Sequence, residues 1–534
     1  MDTTPSAERG GPTPADRRPW RKSPILAVVA LLALWRLGLA AFLPYDRFIA
    51  LFDDDAFYYF GIARHIADGS GSTFNGIDPT NGYHPGWLMV IEPVFYLSHG
   101  RAALVGITVV SCLLFMVFGV ILEQISREIG SATVVLISAA PILAVSVVGP
   151  SYFFSGMETG LAIVAVSATG LFCLRTGGFS PAAATPRNAV ILGLLMSFSI
   201  AARLDTVVTM VLIGLAVMWR WRGKLMLALG VAAIPTAFLV AYAAVNLAVF
   251  HTATPVSGQA KALGDTTNMG VFEQFLAAPK IFGFDSLLGL AAAPITVAAV
   301  VVAVRRPRPG HAESAAFGAT LYLGSLCTVA YYGLTSSWQL WPWYFYAIPL
   351  ALVFSLIPLV DHLARARAAT VLAVLSTASV LSLAAVWSLE QATSTDSRSA
   401  FVSAAPEVAE LIDRLDPAGS PIAIGDRAGS IGYHLGRPTV QLEGLVNSKE
   451  FLEALEGGDV GSFLNDRDVR LYARVDAASG ELTPEGLRRF MEPQQGYGPR
   501  AGIYVRDSDL VLSFPLPDGT TYRVWRYRPE INSG

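Results

Sequence analysis

Three consecutive carboxylates, Asp53, Asp54 and Asp55, open a polar stretch from Asp53 to Pro85 that lies between far greasier segments. A carboxylate at the edge of an apolar region can act as a general base or bind a divalent cation such as Mg²⁺ or Mn²⁺. The structural alternative is a solvated helix N-terminus, where Asp complements the helix dipole. The same stretch ends in Asn81, Tyr83 and His84. Four further polar words interrupt the apolar chain: Ser155–Thr159 with Glu158, the Arg203-Leu-Asp205 turn, Pro255–Lys261, and an aromatic cluster from Trp338 to Tyr346 that includes Trp341 and Trp343.

These groups need elements to hold them, and composition says which. Of 534 residues, 53% are hydrophobic and only 15% charged, with a mean hydropathy of +0.49. That balance describes a polytopic membrane protein. A net charge of −3 leaves no nucleic-acid footprint. The three cysteines, Cys112, Cys173 and Cys327, each sit in an apolar run, which excludes a disulfide framework and a cysteine zinc site. Residues 1–22 read as a disordered cytoplasmic tail. Apolar runs near 24–43, 103–122, 131–149, 157–174, 225–249, 286–304, 315–332, 344–361 and 368–389 are long enough to span. The run from Ala189 to Trp219 exceeds one span and carries Arg203 and Asp205 at its middle, so it divides there into two. About eleven spans result, forming a domain over 23–389 with an outer loop over 44–102.

Placing the N-terminus in the cytoplasm puts Arg127, Arg175, Arg187, Arg220, Arg222, Lys224, Arg305, Arg306, Arg308, Arg365 and Arg367 inside, as the positive-inside rule requires. The five polar words then all fall on the outer side, and ionisable residues at membrane depth mark functional sites. An odd span count puts the C-terminal part, 390–534, outside the cytoplasmic membrane. That part reads as a soluble α/β domain: a helix near Pro406–Leu415, then strands near Ile422–Ile424, Thr439–Leu442, Ile503–Val505, Leu510–Phe514 and Tyr522–Trp525.

Acid, cation and aromatic groups at one membrane boundary suit a substrate that is half lipid and half polar, as a polyprenyl-phosphate sugar is. Arg203 and Lys261 are the cations available to its phosphate, with Arg64 and Arg36 behind them. Tyr58, Tyr83, Trp341 or Trp343 offer the sugar an aromatic platform, and Asp54 or Asp55 offers the acceptor hydroxyl a base. Each has a structural alternative: an ion pair for Arg203 and Asp205, a helix cap for Glu158, a loop contact for His84, an exposed loop lysine for Lys261, an interfacial belt for the tryptophans.

Asp54-Asp55-Ala-Phe-Tyr-Tyr in the first outer loop, Thr80-Asn-Gly-Tyr-His-Pro85, Ser155-Gly-Met-Glu-Thr159, Ala202-Arg-Leu-Asp205 and Pro255-Val-Ser-Gly-Gln-Ala-Lys261 together resemble the GT-C superfamily of integral-membrane glycosyltransferases. The resemblance extends, less specifically, to Gly425-Asp-Arg-Ala-Gly429 and Leu442-Glu-Gly-Leu-Val-Asn447, and is greatest to the bacterial branch that includes the mycobacterial terminal arabinofuranosyltransferases. It implies a mainly α polytopic fold, catalytic and metal-associated roles for Asp54 and Asp55, and an inverting transfer from a polyprenyl-phosphate sugar to a glycan, lipid or protein acceptor in cell-envelope biogenesis. Two alternatives carry the same charges: a lipid or polyol transporter, and an oligosaccharide polymerase or ligase with a diphosphate-linked donor. A transporter places its ionisable residues at the bilayer midplane, whereas these gather at one boundary.

Overall fold

The computed structural model describes residues 23–147, 152–264, 284–363, 366–393, 400–476, 480–494 and 498–532. The N-terminal tail assigned as disordered, residues 1–22, lies outside the described residues. Eleven apolar helices occupy the places of the eleven runs: Pro24–Phe42, Gly100–Ile129, Ala132–Val145, Thr159–Thr176, Pro186–Ala202, Val207–Arg220, Leu225–Phe250, Phe284–Arg305, His311–Thr335, Ala347–Leu363 and Ala366–Thr393. Local chemistry sets several ends. Ser23 and Thr185 accept backbone N–H groups ahead of prolines at the first turn, and Gly130 ends the 30-residue helix in the left-handed region at φ 82°.

Among the described residues, seven helices are long and apolar enough to cross a membrane, so the chain is a multi-pass membrane protein. The run from Ala189 to Trp219 does break at the charged turn: Arg203 is extended, Leu204–Thr206 forms one 3₁₀ turn, and a new helix begins at Val207. At 14 residues that second helix is about 21 Å long, short of the roughly 30 Å hydrocarbon thickness.

The loop over 44–102 is itself helical, with Tyr45–Ile49, Asp54–Ala67 and Pro85–Leu97. After the last apolar helix comes an α/β part. Its first helix, Ala400–Leu415, starts earlier than expected and takes Pro406 into its interior. Strands β1 (Ile422–Ile424), β2 (Thr439–Gln441), β3 (Leu471–Asp476), β7 (Leu510–Pro515) and β8 (Thr521–Arg526) form a sheet in the order β2-β1-β3-β8-β7, and β4 (Glu481–Leu482), β5 (Arg488–Glu492) and β6 (Ala501–Val505) form a second sheet. The pairs β1–β2 and β1–β3 are parallel. The carboxyl ends of β1 and β2 therefore share one edge, the usual ligand-facing edge of such sheets. Here it meets the acidic helix, where Gln441 reaches the Tyr58 hydroxyl at 3.5 Å.

Candidate active site

The helix Asp54–Ala67 presents its acids in its first turn and buries Phe57, Phe60 and Ile62. Its start is fixed by the Asp53 N–H donating to the Ser155 carbonyl at 3.0 Å. Gly156, in the left-handed region at φ 83°, lies so near this helix that a Cβ would stand 2.8 Å from both Ala56 and Phe60. Only glycine meets both demands. The Ser155–Thr159 segment is thereby docked on the acidic helix, and Glu158 comes with it.

A cleft opens between these segments, lined among others by Asp55, Tyr58, Tyr59, Tyr83, His84 and Glu158, and by Arg203, Lys261, Trp343, Tyr344, Leu445 and Val446. Eight of the residues singled out from sequence thus meet on one surface: Asp55, Tyr58, Tyr83, His84, Glu158, Arg203, Lys261 and Trp343.

A continuous polar network runs along one side of it. The Tyr59 hydroxyl donates to Glu158 Oε2 at 3.0 Å and accepts the His84 N–H at 3.2 Å. Arg203 Nη1 donates to Glu158 Oε1 at 2.5 Å, and Arg203 Nε reaches Asp205 at 2.9 and 3.1 Å. Arg203 and Glu158 are 1% and 2% exposed, so the pair is held out of solvent. His84 Nδ1 accepts the Leu204 N–H at 3.1 Å, leaving Nε2 to face Glu158 Oε1 at 3.6 Å. Burial holds the His84 imidazole below its ordinary pKa, so the neutral form, with its proton on Nε2, is favoured.

Opposite, Lys261 Nζ donates to the Tyr344 hydroxyl at 2.8 Å, and the Arg203 guanidinium lies over the same ring at 4.8 Å. The carboxylates at Arg203 offset its charge. Lys261, by contrast, has no carboxylate within ion-pair distance among the described residues, which leaves its ammonium charge to act across the cleft. Asn81 is not at the surface of the cleft. It receives the Val256 N–H at 2.9 Å and donates to Asn246 at 2.7 Å, anchoring the segment that carries Lys261. Asp205 likewise sits behind Arg203, accepting from Tyr332 at 3.4 Å.

The three acids have different surroundings. Asp55 faces the cleft, and burial, opposed by Lys261 and reinforced by Asp54, Asp426 and Glu158, pushes its carboxyl up to about 7. Asp53 is pushed up to about 8, chiefly by burial and then by Asp55 and Asp54. Asp54, expected beside Asp55 as catalytic and metal-associated, is placed otherwise. Its Oδ2 accepts the Gly429 N–H at 3.0 Å and its Oδ1 the Ser430 N–H at 2.7 Å. Each oxygen of Asp54 is thus engaged by a backbone amide while Asp55 faces the cleft, and among the described residues no group of three His, Cys, Asp or Glu side chains is gathered at one point. Of the reserve cations, Arg36 donates to the Leu51 and Phe154 carbonyls at 3.0 and 2.7 Å, and Arg64 to the Tyr433 carbonyl at 2.8 Å.

Sequence reasoning missed Tyr59, Tyr344, Leu445 and Val446. Tyr59 lay inside the quoted motif, one helical position after Tyr58. Leu445 and Val446 come from the loop after β2, inside Leu442–Asn447, a word to which the resemblance extends but to which no site role was given. Their proximity shows at Gly82, where a Cβ would stand 1.9 Å from the Leu445 carbonyl oxygen.

The fold is similar to that of a solved protein, ArnT. The crystal structure of ArnT from Cupriavidus metallidurans bound to undecaprenyl phosphate matches over 93% of this chain and 97% of that one, with a TM-score of 0.50 at 14% identity. The apo structure of the same protein matches 95% of this chain and 100% of that one, at 15% identity and a TM-score of 0.47. No family model matches the sequence, and no curated protein does.

Proposed function

We propose that this protein is an inverting glycosyltransferase that moves a sugar from a polyprenyl-phosphate donor to a hydroxyl acceptor at the outer face of the cytoplasmic membrane. One observation carries the reading: Asp55 and Lys261 line the same cleft, a carboxylate tuned to about 7 and an ammonium with no carboxylate partner among the described residues. The fold match supports it, since the ArnT structure holds undecaprenyl phosphate.

In this mechanism Asp55 takes the proton of the acceptor hydroxyl. The oxygen attacks the anomeric carbon from the face opposite the phosphate. The bond from that carbon to the phosphate oxygen breaks, its electron pair stays on the phosphate, and the sugar's anomeric configuration inverts. Lys261 offsets the charge of the departing polyprenyl phosphate, with the Arg203–Glu158 pair behind it. Tyr344 aims the Lys261 ammonium, and His84 offers its Nε2 proton to a sugar or phosphate oxygen. Trp343, stacked on Trp341 at 5.7 Å and 11°, supplies an apolar face for a sugar ring. A base near 7 is matched to neutral operation, where proton affinity and ionised fraction balance.

The test is transfer of radiolabel from a panel of polyprenyl-phosphate pentoses and hexoses into membrane acceptors by the purified full-length protein. Label in a glycan, lipid or protein product that disappears in Asp55→Asn is expected. No transfer from any donor would overturn the reading.

A further inference from the structure

Asp54 and Asp55 are neighbours in sequence and part company in space. Asp55 lines the cleft, whereas both oxygens of Asp54 accept backbone N–H groups of the α/β part, from Gly429 and Ser430. These amides belong to the first turn of the helix Ala428–His434, just beyond the carboxyl end of β1. The approach is close, since a Cβ on Gly429 would stand 2.2 Å from the Asp54 carbonyl oxygen. Three more contacts cross the same boundary. Arg64 donates to the Tyr433 carbonyl at 2.8 Å with its guanidinium 4.7 Å from that ring, Tyr45 meets His434 Nε2 at 2.9 Å, and Arg467 binds Asp78 through Nε and Nη2 at 2.9 and 2.7 Å. What this boundary positions is part of the site, because Leu445 and Val446 of the α/β part line the cleft together with Asp55.

We propose that Asp54 is a positioning residue: its carboxylate clasps the α/β domain onto the acidic helix, so that the loop Leu442–Asn447 closes the cleft over Asp55. The chemistry assigned to the acid pair then belongs to Asp55 alone. The proposal rests on the transferase reading for its activity readout but not for its structural one.

A clasp and a base respond differently to the same substitutions. Asn keeps one acceptor oxygen for the two amides and is as good a helix cap as Asp, whereas Ala offers none. In Asp54→Asn, turnover is expected to stay within about threefold of the parent, while in Asp54→Ala it falls by about tenfold or more. The rising limb of the pH profile persists in both, because Asp55 still sets it, with its midpoint moved below that of the parent because Asp54 is one of the charges that hold Asp55 up. Hydrogen exchange in the full-length protein gives a readout that needs no substrate. The Gly429 and Ser430 amides should exchange about tenfold faster or more in Asp54→Ala, and between the parent and the Ala variant in Asp54→Asn. Equal loss of turnover in Asn and Ala, or unchanged exchange at Gly429 and Ser430 in Ala, would overturn the clasp. If Asp54→Ala does not fold, the Asn variant alone decides: near-parental turnover supports the clasp and a hundredfold loss sinks it. A parent protein that transfers no sugar defeats the transferase reading, and the exchange rates still test the clasp.

Discussion

Arg203 donates to Glu158 at 2.5 Å across 45 residues of sequence, with both side chains almost fully buried. A buried pair of this kind is costly to halve, because removing one partner strands the other charge out of water, at about 3 to 5 kcal/mol. Arg203 also holds Asp205, so Arg203→Met strands two carboxylates while Glu158→Gln strands only part of one cation's environment. The expected order is a larger loss of thermal stability in Arg203→Met than in Glu158→Gln, with the double variant less unstable than the sum of the two. Additive losses in a double-mutant cycle would show that the two side chains are not coupled.

Lys261 separates binding from stability. Its hydrogen bond goes to the neutral Tyr344 hydroxyl, so Lys261→Met strands no carboxylate. A charge-assisted contact to a phosphate contributes about 1.5 to 3 kcal/mol, which corresponds to donor affinity falling about tenfold to a hundredfold. The melting temperature should barely move. Donor titration of the detergent-solubilised protein checks this, and unchanged affinity would return Lys261 to a structural role.

The short basic connections predict an orientation in the membrane that a reporter fusion tests. A reporter active only outside the cytoplasm should be active when fused after Asn532 and silent after Gly310, which precedes the helix His311–Thr335. The reverse pattern would put the cleft on the cytoplasmic side.

Much of this site was legible because polar residues are conspicuous in an apolar chain. Asp55, His84, Glu158, Arg203 and Lys261 each stood out as an expense that a membrane segment does not carry idly. The break at Arg203 was legible for the same reason. What escaped was whatever depends on partners without a signature. The amides of Gly429 and Ser430 that occupy Asp54 look like any other backbone, and although the resemblance reaches Gly425–Gly429 and Leu442–Asn447, neither word says that it folds back over an acid nearly 400 residues earlier. Tyr344 was hidden in an aromatic cluster that also reads as an interfacial belt. Strands β3 and β5 escaped because arginines and acids such as Arg474, Asp476, Arg488 and Glu492 interrupt their apolar pattern, and these charges pair with one another and with Asp507 in the fold.

The acid in the cleft gives the most direct test. With its folded pKa raised to about 7, Asp55 is protonated and useless as a base at pH 5 and ionised at pH 8, so kcat/KM should climb about tenfold per pH unit up to a midpoint near 7 and then level off. Asp55→Asn removes the proton acceptor while keeping its size, so turnover should fall by about a hundredfold or more and the rising limb should vanish, with donor affinity little changed. Lys261 supplies the control on the cause. It is the cation that holds Asp55 down, so in Lys261→Met the midpoint should move above that of the parent, in the direction opposite to any salt-induced relief of the neighbouring acids. Added Mg²⁺ or Mn²⁺ should not restore Asp55→Asn if the residue is a base, whereas partial recovery would make it a ligand instead. Asp53→Asn, outside the cleft, should cost less than about fivefold, as for a helix-end charge. A pH profile that keeps its limb in Asp55→Asn would move the base elsewhere in the cleft.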